Sequence, residues 1–215
     1  MTQVVVVIGG GALQPYARSR ADADAVVIAA DSGLDHALAA GVRPSLLVGD
    51  LDSISEGGRA WTTANALPVQ QYPPDKDATD TELALAAALA VPGARRLLVL
   101  GGHDDADQRL DHLLGTLLAL GHPDFGHLDE VSAVLGGTRI AVAHPGRRVE
   151  VPLAAGDTFS LLALHGGAEG ITLKGAKWEL DNASLAPHEA RGVSNIANGA
   201  VTVECRSGVV TVVVP

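Results

Sequence analysis

Four short, largely aliphatic runs, at 4–8, 25–30, 46–48 and 96–100, set the strongest limit on what this chain can become. The first reads Val-Val-Val-Val-Ile, with no polar residue to turn towards water. Unbroken runs of this kind suit parallel strands, which are covered on both faces. Parallel neighbours need a crossover between them, usually a helix. Helical spacing follows at 34–40, at 83–90 and from 109 to 120. Residues 1–136 therefore read as a Rossmann-like α/β domain with a parallel sheet. Beyond 136 the pattern changes. Short alternating runs at 139–143, 147–151, 158–164, 170–174, 177–180, 201–205 and 209–214 are separated by Gly and Pro, with no helical segment between them. Residues 137–215 read as a C-terminal antiparallel β-sandwich or barrel-like domain.

Polar clusters fall just after the strand runs. Asp31-Ser32-Gly33 follows the second, Gly49-Asp50-Leu51-Asp52-Ser53 the third, and Gly101-Gly102 the fourth. In open α/β sheets, ligands bind at the carboxyl ends of the strands. Asp50 and Asp52 stand two apart, so an extended backbone would aim both to one side. Carboxylates that close repel unless a cation or proton lies between them. Hard oxygen ligands suit Mg²⁺, whose other positions go to water and phosphate. A polar turn after a buried strand has the same composition; three such clusters at one edge favour a metal–phosphate site. Thr79 and Glu82 have the spacing of a capping box, with Asp80 complementing the helix dipole. That helix start could also face an anion, with Lys76 and Asp80 beside it. Residues 182–199 form the longest irregular stretch, and long loops in compact domains are often functional.

Other features exclude function classes. The net charge is −10 and no Lys/Arg run exists, which argues against a nucleic-acid partner. The one cysteine, Cys205, allows no intrachain disulfide and reads as a packed thiol. The eight histidines lack metal-ligand spacing, which argues against zinc. The start carries no basic signal region, and residues 4–8 are too few to span a bilayer, so a cytoplasmic protein without membrane partners is expected. Gly9-Gly10-Gly11 begins a dinucleotide fingerprint, but Gln14 stands where its last glycine belongs. Trp61 reads as a packing residue.

Six segments in order resemble the thiamine pyrophosphokinase (thiamin diphosphokinase) family. Ala30-Asp31-Ser32-Gly33 resembles its A-D-G-G, and Gly49-Asp50-Leu51-Asp52-Ser53 its G-D-F-D-S. Asp77-Ala78-Thr79-Asp80 resembles its D-x-T-D, and Arg109-Leu110-Asp111-His112 its R-x-D-H. Lys174 to Asn182, with Lys177-Trp178 inside it, resembles its G-L-K-W-x-L-x-N, and Ser194-Asn195 its S-N loop. The resemblance implies a homodimer, with its active site at the subunit interface, that transfers the pyrophosphoryl group of ATP to thiamine. Carried over by position, Asp50, Asp52 and Asp80 would hold Mg²⁺, with Asp31 near them. Lys76, Arg109 and Asp111 would bind the phosphates or orient the acceptor, and Asp80 or Asp111 would take its proton. Ser53, Thr79, Thr81, Gly101 and Gly102 would line the nucleotide side; Trp178, Ser194 and Asn195 would shape the thiamine pocket. A module that senses nucleotide or thiamine without catalysis is the alternative. Two departures stand out. The turn before Arg109, short and glycine-rich in the family, is here acidic over 103–108, and Ile196 and Ala197 follow Asn195.

Overall fold

The computed structural model describes residues 2–101 and 109–215. The chain divides into two compact units. The first is Met1–Thr116 with Ala133–Gly137; the second is Leu117–Ser132 with Thr138–Pro215. The cut expected at 136/137 falls near the end of the segment that returns to the first unit.

In the first unit the elements alternate as β1 (Thr2–Val7), α1 (Pro15–Arg18), β2 (Val26–Ala30), α2 (Gly33–Ala39), β3 (Leu46–Gly49), α3 (Glu56–Ala64), β4 (Val69–Gln71), α4 (Asp80–Leu89) and β5 (Ala94–Gly101). Helix α5 (Leu110–Ala119) starts in this unit. The ladders in the order β5-β1-β2-β3-β4 are parallel. Val4, Val5, Val6 and Val7 are each at most 1% exposed, which accounts for the unbroken run. Helix α4 packs on β2 and β3, and α2 on β1 and β2. Trp61 packs against the cluster of Ala29, Leu34, Leu47 and Ile54, as expected.

Strand β4 has no counterpart in the expectations. Val69, Gln70 and Gln71 are all exposed, and pairing with β3 alone holds them in the sheet. An exposed edge strand carries no apolar run to announce it.

After β6 (Glu130–Leu135), where the units divide, come β7 (Thr138–Ala143), β8 (Val149–Val151), β9 (Ala155–Leu162), β10 (Ala168–Ala176), β11 (Leu180–Leu185), β12 (Asn195–Glu204) and β13 (Val210–Val214). The second unit's ladders are antiparallel, as expected, and run β11-β10-β12-β9-β13-β7, with β8 also on β12. The chain as a whole thus has mixed strands with helices. Phe159, Leu161, Ile171, Leu173, Val201 and Val203 centre this unit's core. Cys205 is packed there, its thiol directed at Ala143 O, as expected. The irregular stretch expected over 182–199 is shorter than that, because β11 runs to Leu185 and β12 begins at Asn195. Leu180-Asp181-Asn182-Ala183-Ser184-Leu185 is poor in strand formers; its pairing with β10 makes it a strand.

Candidate active site at the carboxyl edge of the parallel sheet

Strands β2 and β3 pair with Ala30 opposite Val48, so Asp31 leaves β2 beside Gly49, the last residue of β3. Asp31 turns at once: its φ is 44°, its N–H donates to Val48 O at 2.9 Å, and its carbonyl accepts from Leu34 N. Gly33 follows with its α-carbon against β1. A β-carbon there would stand 2.1 Å from Val7 O, so the glycine of this motif is required by packing.

Asp50 and Asp52 meet by a route other than the extended backbone expected. Gly49 (φ 146°) and Leu51 (φ 69°) bend the chain, and Asp52 N donates to Asp50 Oδ1 at 3.2 Å. This is the side-chain-closed turn that Asp favours. Arg59 on α3 ties the bend down by donating to Leu51 O. A non-glycine residue held at positive φ costs on the order of 1 kcal/mol or more, and such residues cluster at functional sites.

The result is one acidic group. Asp31, Asp50 and Asp52 each present an oxygen within 4.8 Å of the others. Ser53 Oγ donates to Asp52 Oδ1 at 2.7 Å. Asp80 enters from the first turn of α4, and a β-carbon on Gly49 would stand 3.1 Å from both Asp80 Oδ1 and Asp31 Cβ. The absent side chain at 49 is what lets these two approach. Lys76 donates to Asp50 Oδ2 at 2.6 Å and lies 3.2 Å from Asp80 Oδ1.

Electrostatics follow the geometry. Burial pushes the Asp31 carboxyl above its ordinary range; the Ser53 hydroxyl opposes this, and the charges of Asp80, Asp52 and Asp50 add to it. The hydrogen bond from Lys76 holds Asp50 below its ordinary range. Asp31 is 7% exposed, and its Oδ1 has no hydrogen-bond partner among the described residues; Asp80 Oδ1 has its ion pair with Lys76 as partner. Unpartnered buried carboxylate oxygens are costly unless a cation completes them. Oxygens around one Mg²⁺ lie about 3–4 Å apart, and those here fall within 4.8 Å of one another. The residues therefore fit a small divalent cation, with Asp31 joining Asp50 and Asp52 more closely than the sequence reading had it.

The remaining residues of this unit stand as follows. Thr79 caps α4, accepting from Glu82 N while Glu82 Oε2 accepts from Thr79 N, so the capping box is present. Thr81 is in the first turn of α4. Gly101 ends β5 as a packing glycine, since a β-carbon would press on Ile8 and Leu135. Arg109 and Asp111 are exposed and paired twice, Nε to Oδ1 at 3.0 Å and Nη2 to Oδ2 at 2.7 Å. The guanidinium holds Asp111 well below the usual carboxylate range. Gly102 and residues 103–108 lie outside the described residues.

In the second unit, Trp178 sits on the turn between β10 and β11, 54% exposed, with Lys177 Nζ 4.6 Å from its ring centroid. Asn195 is buried and fastens that turn. Its Nδ2 donates to Trp178 O at 2.9 Å, and its Oδ1 accepts from Trp178 N at 3.2 Å and Ile196 N at 2.8 Å. Sequence reasoning placed Asn195 against a ligand; this amide is engaged with backbone. Ser194 has φ 60° and donates its N–H to Ser160 Oγ.

Residues 17–129 match the family described as "Thiamin pyrophosphokinase, catalytic domain", and residues 147–210 match "Thiamin pyrophosphokinase, vitamin B1 binding domain". The chain belongs to the thiamin pyrophosphokinase family. It is accordingly an enzyme of the transferase class. Thiamine pyrophosphokinase from Bacillus subtilis has the same fold, with a TM-score of 0.80 at 24% identity over 100% of this chain and 98% of that one. Thiamin pyrophosphokinase from Geobacillus thermodenitrificans is 27% identical, with a TM-score of 0.74 over 100% and 97%. A family protein from Enterococcus faecalis is also 27% identical, with a TM-score of 0.74 over 99% and 98%. No curated protein matches in sequence. No helix among the described residues is long and apolar enough to cross a membrane.

Proposed function

We propose that this protein transfers the pyrophosphoryl group of ATP to the hydroxyl of thiamine, giving thiamine diphosphate and AMP. The observation that carries the reading is the convergence of Asp31, Asp50 and Asp52 at a parallel-sheet edge, beside Asp80 and Lys76, in a chain of this family. Asp50 and Asp52, with Asp31 and Asp80 beside them, would hold Mg²⁺. The ion would neutralise phosphate charge and help align the transferred group. The chain's own part is mainly placement and electrostatics. Lys76 offers a cation to the phosphates, and Thr79, Thr81 and the start of α4 offer donors to an anion. The thiamine oxygen bonds to the β-phosphorus of ATP, the bond from that phosphorus to the αβ-bridging oxygen breaks, and AMP leaves. The hydroxyl proton goes to a carboxylate. Asp80, ion-paired with Lys76, and Asp111, held by Arg109, are the two carboxylates for that role.

The thiamine pocket is assigned to the second unit, because residues 147–210, matched as vitamin B1 binding, contain Trp178, Ser194 and Asn195. The exposed indole offers a ring face for stacking. A cytoplasmic homodimer with the site at the subunit interface completes the proposal. The test is to incubate the protein with MgATP and thiamine and separate the nucleotides. AMP with thiamine diphosphate is the expected result. ADP would mean attack on the terminal phosphate and would overturn the reading. No turnover, with nucleotide and thiamine still bound in calorimetry, would favour the sensing module.

A further inference from the structure

Asp50 is wanted by two cations. Its Oδ2 accepts from Lys76 Nζ at 2.6 Å, and its Oδ1 accepts from Asp52 N at 3.2 Å. Both oxygens are thus engaged within the protein. Asp50 nevertheless belongs to the three carboxylates whose oxygens converge. The Lys76 and Asp50 side chains are only 13% and 9% exposed, so water screens the ion pair weakly. Lys76 also reaches Asp80 Oδ1 at 3.2 Å, an oxygen left buried without a hydrogen bond. A divalent ion drawing on Asp50 must therefore contend with an ammonium already hydrogen-bonded to the same carboxylate. Like charges that close oppose one another.

We infer that Lys76 is an internal competitor for the metal: its ammonium holds Asp50 and Asp80, and so keeps the acidic group from binding a bare divalent cation tightly. This rests on the metal reading above and goes beyond it. Four carboxylates and one ammonium leave the group strongly negative, so bare metal would otherwise bind readily. Lys76 moderates that charge, and it can let go of Asp50 only when another anion, such as a phosphate chain, is present to receive it.

The test uses Mn²⁺ alone as the probe. Free Mn²⁺ is followed by electron paramagnetic resonance against the full-length protein without nucleotide. Lys76→Met should bind Mn²⁺ about ten- to a hundredfold more tightly than wild type, within the roughly ten- to thousandfold by which one neighbouring opposite charge shifts a carboxylate's proton affinity. Lys76→Gln serves as a second variant, and circular dichroism checks that both are folded. Lys76→Arg, which keeps the charge, should stay as weak as wild type. Asp50→Asn should lose the tightened binding when combined with Lys76→Met. Equal or weaker Mn²⁺ binding by folded Lys76→Met and Lys76→Gln overturns the competition while leaving the metal site standing. No Mn²⁺ bound by wild type or by either folded variant overturns the metal reading, and this inference with it.

Discussion

Replacing Asn195 by alanine should unfasten the turn that carries Trp178. The wild-type amide makes three hydrogen bonds to backbone, two with Trp178 and one with Ile196 N. Trp178 is half exposed, so its N–H and C=O regain water once the amide is gone, at about 1 kcal/mol for each lost bond. Ile196 N–H is less accessible, and leaving it unpaired adds about 1–2 kcal/mol. The sum is about 3–4 kcal/mol. For a chain of this size that corresponds to roughly 6–16 °C in melting temperature. Lys177 N still donates to Ile196 O at 2.8 Å, so the turn should loosen and not detach. The chain has two tryptophans, so a Trp61→Phe background makes Trp178 the sole reporter. Urea unfolding followed by its fluorescence reads the loss directly. Asn195→Asp keeps both acceptor bonds but turns a carboxylate oxygen on Trp178 O and buries its charge, so it should destabilise at least as much as Asn195→Ala. If Trp178 shapes the acceptor pocket, Asn195→Ala should also raise the KM for thiamine more than that for MgATP. An Asn195→Ala protein with wild-type unfolding and unchanged Trp178 emission would refute the clamp.

Gly33→Ala places a β-carbon 2.1 Å from Val7 O, a backbone atom that cannot step aside, and should destabilise by about 3 kcal/mol or more in denaturant unfolding. Thr79→Ala removes one half of the capping box and should cost about 1 kcal/mol, readable as a lower midpoint in urea. His144 is 2% exposed; burial lowers its pKa, the hydrogen bond to Leu120 O opposes this, and the charge of His165 adds to the lowering. Below its ordinary value of about 6.5 the unfolded chain takes up a proton that the folded imidazole resists, so stability should fall as pH drops from there towards the lowered value. His36 is lowered by burial too and acts in the same sense. Urea midpoints at neutral and mildly acidic pH should converge partly in His144→Gln; an unchanged pH dependence would count against it.

Much of the first unit was legible because its signals are local. An unbroken apolar run implies burial on both faces, and Val4 to Val7 meet that condition within their own sequence. The capping box at Thr79 needs only residues three apart. The run around Cys205 likewise declares a packed thiol. The exposed strand β4 gave no such signal, since its pairing with β3 is what makes it a strand.

The sequence by itself determined which segments become buried strands and helices, and that acids gather after the strand ends. Only the tertiary structure decided which acids meet. The register of Ala30 against Val48 sets Asp31 beside Gly49, and the bend at Gly49 and Leu51 brings Asp50 and Asp52 round to it. It decided that Lys76 spends its charge on Asp50, and that the Asn195 amide serves Trp178's backbone. The reason is range. Periodicity and capping are fixed within a turn or two of chain, whereas a side chain's partner 26 residues away, as for Lys76 and Asp50, depends on the register in which β4 returns along β3.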